Sequence, residues 1–347
     1  PTSAPREALG DGVFATVDDA VNAAATAFNE LDGMSLEGRQ KIIASIRESM
    51  FENAEELARL AHSETGLGRF EDKVVKNRLV TRKTSGTEVL TPQAVTGDDG
   101  LTLTEYAPYG VIGAITPTTN PTSTIICNTI AMVSAGNSIV FNVHPGAREC
   151  SMANVRLLHH AIKRAGGPAN LVTAVATPTI ESAQELMGHE GVRLLAVTGG
   201  SGVVRQAMTS GKRAICAGPG NPPVVVDATA DLDYAARNII AGASFDNNIV
   251  CVDEKEVIAV ESIVDDLLEH MGRNGARVLN ERELHKVTNV VFSEYPGRRQ
   301  RGTMEKDLIG KNASEILARA GIASQGDPRL IVARVTNGHP LIWTEQM

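Results

Sequence analysis

Apolar residues recur at three-to-four spacing near the start of the chain. Val17, Val21, Ala24, Phe28 and Leu31 fall on one face of a helix. Ser35 is placed to cap a second helix, with Leu36, Ile43, Ile46 and Met50 along one side. A third helix is expected over 53–61, closed by Gly66 and Gly68. A polar turn follows at 97–100. From Leu101 to Tyr106 apolar and polar residues then alternate up to Pro108, which reads as a strand with one half-buried face. Such a strand would leave an open edge in a monomer and suits a hairpin arm that pairs with another subunit.

From Gly110 the rhythm changes. Short apolar runs at 111–115, 138–143, 171–175, 194–197 and 224–226 alternate with helical stretches at 123–135, 149–165, 182–187 and 202–209. Strands separated by helices and bounded by Gly and Pro imply a parallel sheet covered on both faces. Ligands bind such sheets at the carboxyl ends of the strands. A second α/β unit is expected from Asp231, with helices at 232–243, 263–271 and 314–320 and strands at 256–260 and 330–335. There is no tandem repeat and no low-complexity linker, and the two halves are expected to share a cleft.

Composition narrows the function. The chain of 347 residues is 42% hydrophobic and 21% charged, as expected of a folded protein with a sizeable core. Its 33 Lys and Arg against 41 Asp and Glu give a net charge of −8, which argues against nucleic acid as a partner. No run of apolar residues is long enough to span a bilayer, so no membrane partner is expected. The beginning lacks both a signal pattern and an initiator Met, and Glu345-Gln346-Met347 ends abruptly. Trimmed or missing sequence is expected at the ends.

The four cysteines, at 127, 150, 216 and 251, form neither a CxxC pair nor a zinc-type cluster, and no metal is expected. Cys127 lies in an apolar helix and reads as buried and inert. Cys150 opens a helix, where amide dipoles can lower a thiol pKa, but a structural role is the better reading. Cys216 precedes Ala217-Gly218-Pro219-Gly220-Asn221-Pro222-Pro223, which reads as a rigid loop at a sheet edge. Cys251 follows Phe245-Asp246-Asn247-Asn248-Ile249-Val250, a polar loop after a helix and the setting a reactive thiolate needs. Asn120 is held between Pro117 and Pro121, either as an Asx-turn residue or as an amide donor to an oxyanion. Thr198-Gly199-Gly200-Ser201-Gly202 is either a plain turn or a cradle for a pyrophosphate at a helix N-terminus.

In this order the motifs resemble the aldehyde dehydrogenase superfamily. The matching residues are Ile115-Thr116-Pro117 with Asn120-Pro121, His144-Pro145, Thr198-Gly199-Gly200, Gly218 to Pro223, and Asn248 with Cys251. The stretches 64–73 and 245–251 are similar to the CoA-acylating branch, in particular its microcompartment propionaldehyde and acetaldehyde dehydrogenases. The resemblance implies a discontinuous Rossmann-like cofactor domain at 1–92 and 108–228. It also implies an oligomerisation β-arm at 93–107 and a catalytic domain at 229–347 whose C-terminal part is absent. It makes Cys251 the nucleophile and Asn120 the oxyanion donor. Cofactor contacts fall on Thr116, Pro117, His144, Pro145, Thr198, Gly199, Gly200 and Glu345, with His144 in place of a ribose-side lysine.

The resemblance further implies NAD as cofactor, and a short aldehyde and coenzyme A as partners. It implies a homodimer or homotetramer in the cytoplasm, inside a bacterial microcompartment with its shell or core proteins. Hydrolytic members carry a water-activating glutamate where this chain has Ala217 or Gly218. That departure points to a thiol rather than water as acyl acceptor. A hydrolytic enzyme and a catalytically silent microcompartment subunit are the competing readings.

Overall fold

A computed structural model describes residues 9–324 and 326–346, and the chain divides into two compact units. The first runs to Thr65 and again from Lys73 to Gly218, and the second comprises Gly66–Asp72 and Pro219 onward.

The first unit opens with β1 (Val13–Phe14), α1 (Val17–Asp32), α2 (Leu36–Glu52) and α3 (Ala54–Thr65). Thr16 and Ser35 cap α1 and α2 by accepting hydrogen bonds from Asp19 N and Gly38 N. Then come α4 (Phe70–Lys83), which runs from the second unit into the first, and the hairpin of β2 (Gln93–Gly97) and β3 (Gly100–Thr104). The remaining elements are β4 (Val111–Ile115), α5 (Pro121–Ser134), β5 (Ser138–Asn142), α6 (Arg148–Arg164), β6 (Val172–Val175), α7 (Ile180–Gly188), β7 (Val192–Thr198), α8 (Ser201–Met208) and β8 (Arg213–Ala217).

Six of these strands form one parallel sheet in the order β1-β6-β5-β4-β7-β8. Every residue of β4, β5 and β6 is buried, as strands covered by helices on both faces must be. The chain leaves β4 toward β5 and β6, then crosses back to place β7 on the other flank of β4. That reversal is the switch point at which open α/β sheets bind ligands. Register makes the rim level, since Ile115 lies opposite both Asn142 and Val197. Thr116, His144 and Thr198 therefore follow from neighbouring strands at one edge.

The expected α/β fold with a parallel sheet is present, with four corrections. The run 224–226 is not a strand of this sheet, whose outer strand after β7 is β8. Ala217, expected to open the rigid loop, is instead the last residue of β8, where Cys216 lies opposite Val197 and packs on the core. Cys127 is half-buried rather than enclosed. The hairpin has no half-buried face: all five residues of each strand are exposed, because β2 and β3 pair only with each other.

The second unit contains β9 (Pro223–Val226), α9 (Leu232–Ala243), β10 (Glu256–Ala259), α10 (Val264–Arg273), β11 (Ala276–Leu279), α11 (Glu281–Val291), β12 (Phe292–Glu294), β13 (Thr303–Met304), α12 (Ala313–Arg319), β14 (Leu330–Ala333) and α13 (Pro340–Trp343). Parallel pairs β9–β10 and β11–β14 carry its framework. Helices α9 and α10 pack Ile239, Ile240, Leu267 and Met271 against Val226 and Ala276. Among the described residues no helix is long and apolar enough to cross a membrane.

Phe141 in β5 is fully buried within the largest apolar cluster, alongside Ile126, Ile139 and Leu158. Phe141→Ala should cost about 3–5 kcal/mol through lost burial and the cavity left behind. The urea unfolding midpoint checks this; a shift worth under about 1 kcal/mol would show that the cluster does not support the sheet.

Candidate active site

The rim of the parallel sheet gathers the residues expected to meet a cofactor from three adjacent strands. Thr116 and Pro117 leave β4, His144 and Pro145 leave β5, and Thr198 ends β7 before Gly199 and Gly200. Gly200 sits at the N-cap of α8, so no side chain caps this helix end. Gly199 donates its N–H to Ala217 O at 3.1 Å, and an added Cβ would come within 2.8 Å of Val203. Nδ1 of His144 accepts the Gly146 N–H at 3.0 Å, which leaves Nε2 as the donor of a neutral ring. Thr116 is buried, and its hydroxyl has no hydrogen-bond partner among the described residues. An orphaned buried hydroxyl costs about 1–3 kcal/mol unless a ligand group meets it. These residues fit a dinucleotide.

Asn120 ends the same β4 loop and precedes α5, whose first residue is Pro121. Its side chain makes no cap hydrogen bond, so the Asx-turn alternative fails. Instead Oδ1 accepts from Lys76 Nζ at 2.6 Å, and Nδ2 donates to Thr119 Oγ1 at 3.1 Å. Both Asn120 and Lys76 are buried. Sequence reading missed Lys76 because it missed α4 altogether.

The other reactive group lies in the second unit. Cys251 follows the turn Phe245–Asn248, in which Asp246, Asn247 and Asn248 all have left-handed backbones, with φ of 47°, 55° and 64°. A left-handed conformation costs a non-glycine residue roughly 1–2 kcal/mol, less for Asn and Asp. Three in succession therefore need external support. The segment Gly66–Asp72 provides it. Arg69 N donates to Asp246 Oδ1 at 2.7 Å, Arg69 Nε to Asn247 Oδ1 at 2.9 Å, and Asp246 N to Asp72 Oδ2 at 3.0 Å. Arg329 holds Asp72 in turn, at 3.2 Å. Gly68, at φ +69°, lies so close that a Cβ there would be 2.0 Å from Asp246 Oδ1.

The last residue of the turn is clamped by Lys255. Its Nζ donates to Asn248 O at 2.5 Å and to Asn248 Oδ1 at 2.6 Å, while Asn248 Nδ2 donates to Ala243 O and Glu254 O. Burial pushes the Cys251 thiol pKa up, and the Glu345 carboxylate adds to the rise. The residue's own backbone N–H and the Lys255 ammonium pull it back. Burial lowers the Lys255 pKa, opposed by Asp253, Glu345 and Cys251. The structure thus brings Glu345 and Cys251 into one electrostatic neighbourhood. Asn221 fixes the end of that stretch: its Nδ2 donates to Thr344 O at 2.8 Å and its Oδ1 accepts from Gln346 N at 3.0 Å. Asn120 belongs to the first unit and Cys251 to the second.

The other thiols sit differently. Cys150 is fully buried, and burial and the neighbouring Glu64 drive its pKa far up. The Glu64 carboxylate accepts the Glu149 and Cys150 N–H groups, each at 2.8 Å, and so occupies the start of α6. Among the described residues no group of His, Cys, Asp and Glu is placed to hold a metal.

Comparison with known proteins agrees with this arrangement. The aldehyde dehydrogenase family model matches residues 10–289. An acetaldehyde dehydrogenase (acetylating) of Escherichia coli K12 is 47% identical over 337 residues, covering 97% of this chain and 72% of the relative. A crystal structure of Rhodopseudomonas palustris propionaldehyde dehydrogenase with bound CoA and an acylated cysteine superposes with a TM-score of 0.91. Its identity is 44%, and the match covers 97% of this chain and 76% of that one. A propionaldehyde dehydrogenase from the Clostridium phytofermentans fucose utilisation bacterial microcompartment gives a TM-score of 0.89 at 44% identity, covering 95% and 75%. A family match over most of the chain and relatives this similar leave one conclusion: the chain belongs to the aldehyde dehydrogenase family.

Proposed function

We propose that this protein oxidises a short-chain aldehyde, acetaldehyde or propionaldehyde, to its coenzyme A thioester, with Cys251 as nucleophile. The observation that carries the reading is a cysteine on a turn held in place by a dedicated strap, in a chain with no carboxylate at Ala217 or Gly218. Relatives spanning almost the whole chain act on these aldehydes, and one holds CoA with an acylated cysteine.

The Cys251 thiolate attacks the carbonyl carbon, a C–S bond forms, and the carbonyl π pair moves onto oxygen. Asn120 Nδ2 and the Cys251 backbone N–H are the donors for that oxyanion. A nicotinamide cofactor, when bound at the sheet rim, supplies the hydride acceptor. Thr116, Pro117, His144, Pro145, Thr198, Gly199 and Gly200 would hold it, and Glu345 would bind its nicotinamide ribose. The thioacyl group then passes to the CoA thiol: a new C–S bond forms and the Cys251 thiolate leaves. A thiol of pKa about 8.5 is partly ionised near neutrality, so this acceptor needs no strong base, whereas water would.

NAD is the favoured dinucleotide. Arg148, the cation nearest in sequence to the His144-Pro145 turn, is engaged by Glu149, including a bond from Nε at 2.9 Å. That pairing compensates the charge a 2′-phosphate would seek. The exposed hairpin, with Leu101 and Leu103 open to solvent, serves as an oligomerisation arm in a dimer or tetramer. A relative from a bacterial microcompartment supports a location of this protein in such a compartment in the cytoplasm.

Two outcomes test the chemistry. Cys251→Ala should abolish aldehyde-dependent NADH formation, while Cys127→Ala and Cys216→Ala keep most of it. Product analysis of the wild-type protein should find acyl-CoA and little free acid; abundant carboxylate without CoA would favour the hydrolytic reading. The electrostatics give a second prediction with a definite sign. Glu345 and burial raise the thiol pKa and Lys255 lowers it. At pH 7 Glu345→Gln should therefore speed iodoacetamide alkylation of Cys251 and Lys255→Met should slow it. Alkylation should rise with pH in all three proteins. Equal rates in all three would show that neither charge reaches the sulfur.

A further inference from the structure

Helix α4 buries an unusual set of side chains. Lys73, Lys76, Asn77 and Thr81 are all buried on it, and Lys76 is 6% exposed. A lysine is removed from water only against a substantial cost unless its ammonium finds acceptors. One acceptor is the Asn120 side-chain oxygen, at 2.6 Å.

The pairing has a directional consequence. An ammonium can only donate, so it binds the oxygen end of a carboxamide and never the nitrogen end. Lys76 therefore selects one of the two orientations of the Asn120 amide. Oδ1 faces α4, and the NH2 group is turned the other way, next to Thr119 Oγ1. An NH2 group has two hydrogens, so a bond to Thr119 and a bond to an oxyanion are compatible. The reversed orientation would present a carbonyl oxygen to a developing oxyanion, replacing an attraction with a repulsion. The ammonium also draws electron density from Oδ1, which strengthens the amide as a donor.

The local framework keeps this pair in register. Asn77, the next residue on α4, donates through Nδ2 to Ala54 O at 3.1 Å and accepts from Thr122 Oγ1 at 3.0 Å. Thr122 lies two residues beyond Asn120 in the first turn of α5, and its carbonyl accepts from Asn154 Nδ2 at 2.9 Å. Helices α3, α4, α5 and α6 are thus tied together around the start of α5. We propose that Lys76 is a positioning residue for the oxidation step, fixing the Asn120 carboxamide so that its N–H points at the oxyanion.

The inference rests on Asn120 being the oxyanion donor, and the experiment separates the two. Single-turnover NADH formation, steady-state KM for NAD and the rate of acyl transfer to CoA are measured for Lys76→Met, Lys76→Arg, Asn120→Ala and the double variant Lys76→Met/Asn120→Ala. Lys76→Met should slow NADH formation about 100-fold, the scale expected for a misplaced catalytic group, with KM for NAD changed under about threefold. Lys76→Arg, which keeps a cation that can only donate, should recover at least a tenth of the wild-type rate. The double variant should be no slower than Asn120→Ala alone, because the lysine has nothing left to orient. Additive losses, or full activity of Lys76→Met beside a slow Asn120→Ala, would overturn the role of Lys76 and leave the mechanism standing. A fully active Asn120→Ala would overturn both. If Lys76→Met does not fold, the comparison of Lys76→Arg with Lys76→Gln decides. Equal rates for those two count against a role for the charge.

Discussion

Three consecutive left-handed residues stand ahead of Cys251, separated from it by two residues, and the segment Gly66–Asp72 together with Lys255 holds them. Asp246, Asn247 and Asn248 are residue types that tolerate this backbone, yet together they still cost several kcal/mol. That cost is met by hydrogen bonds from a distant piece of sequence. Gly66–Asp72 is a short strap assigned to the same compact unit as the turn, although more than 170 residues separate them in the chain. Gly68 is required both for its positive φ and because any side chain would strike Asp246. Lys255 closes the far side through Asn248. The sulfur is thereby delivered in one orientation, which is what proximity catalysis demands of a nucleophile.

The same logic governs the first unit with different materials. Its central strands are buried and mostly apolar, and its level rim sets residues from β5, β4 and β7 side by side. Against that apolar base, α4 introduces a buried polar layer of Lys73, Lys76 and Asn77. Polar groups are costly to bury, and when fully bonded they specify one arrangement where an apolar contact would accept several. Both units therefore set well-bonded polar groups around a reactive side chain. In each a lysine is a close partner: Lys76 for Asn120, and Lys255 for Asn248, three residues before Cys251.

The charges around Cys251 also suit the direction of the chemistry. Burial and Glu345 oppose ionisation of the sulfur, while Lys255 and the backbone N–H favour it. A raised pKa makes the thiolate a stronger nucleophile toward an aldehyde and a slower leaving group, so Lys255 and the backbone N–H favour the release to a second thiol. Ala217 and Gly218 add nothing that could draw a proton from water. Transfer of the acyl chain from one thiol to another then keeps the energy of oxidation in the thioester.

Local pattern alone determined a good deal of this protein. Capping by Thr16 and Ser35, the apolar stripes of α1 and α2, and the alternation of strand and helix from Val111 to Thr198 need only neighbours in the chain, so they are legible in it. The motifs around Asn120, Thr198 and Cys251 were legible for the same reason. Helix α4 was not, because its buried face is polar and its periodicity looks like that of an exposed helix. Strand β8 was hidden by the Pro- and Gly-rich loop that follows it, and the hairpin was credited with a covered face it does not have. What only the tertiary structure decided are pairings between distant residues: Asp246 with Arg69 and Asp72, Asn120 with Lys76, Glu64 with the start of α6, and Asn221 with the stretch bearing Glu345. A hydrogen bond leaves no periodic trace in sequence, since either partner alone reads as an ordinary polar residue. The partnership exists only once folding has removed both from water.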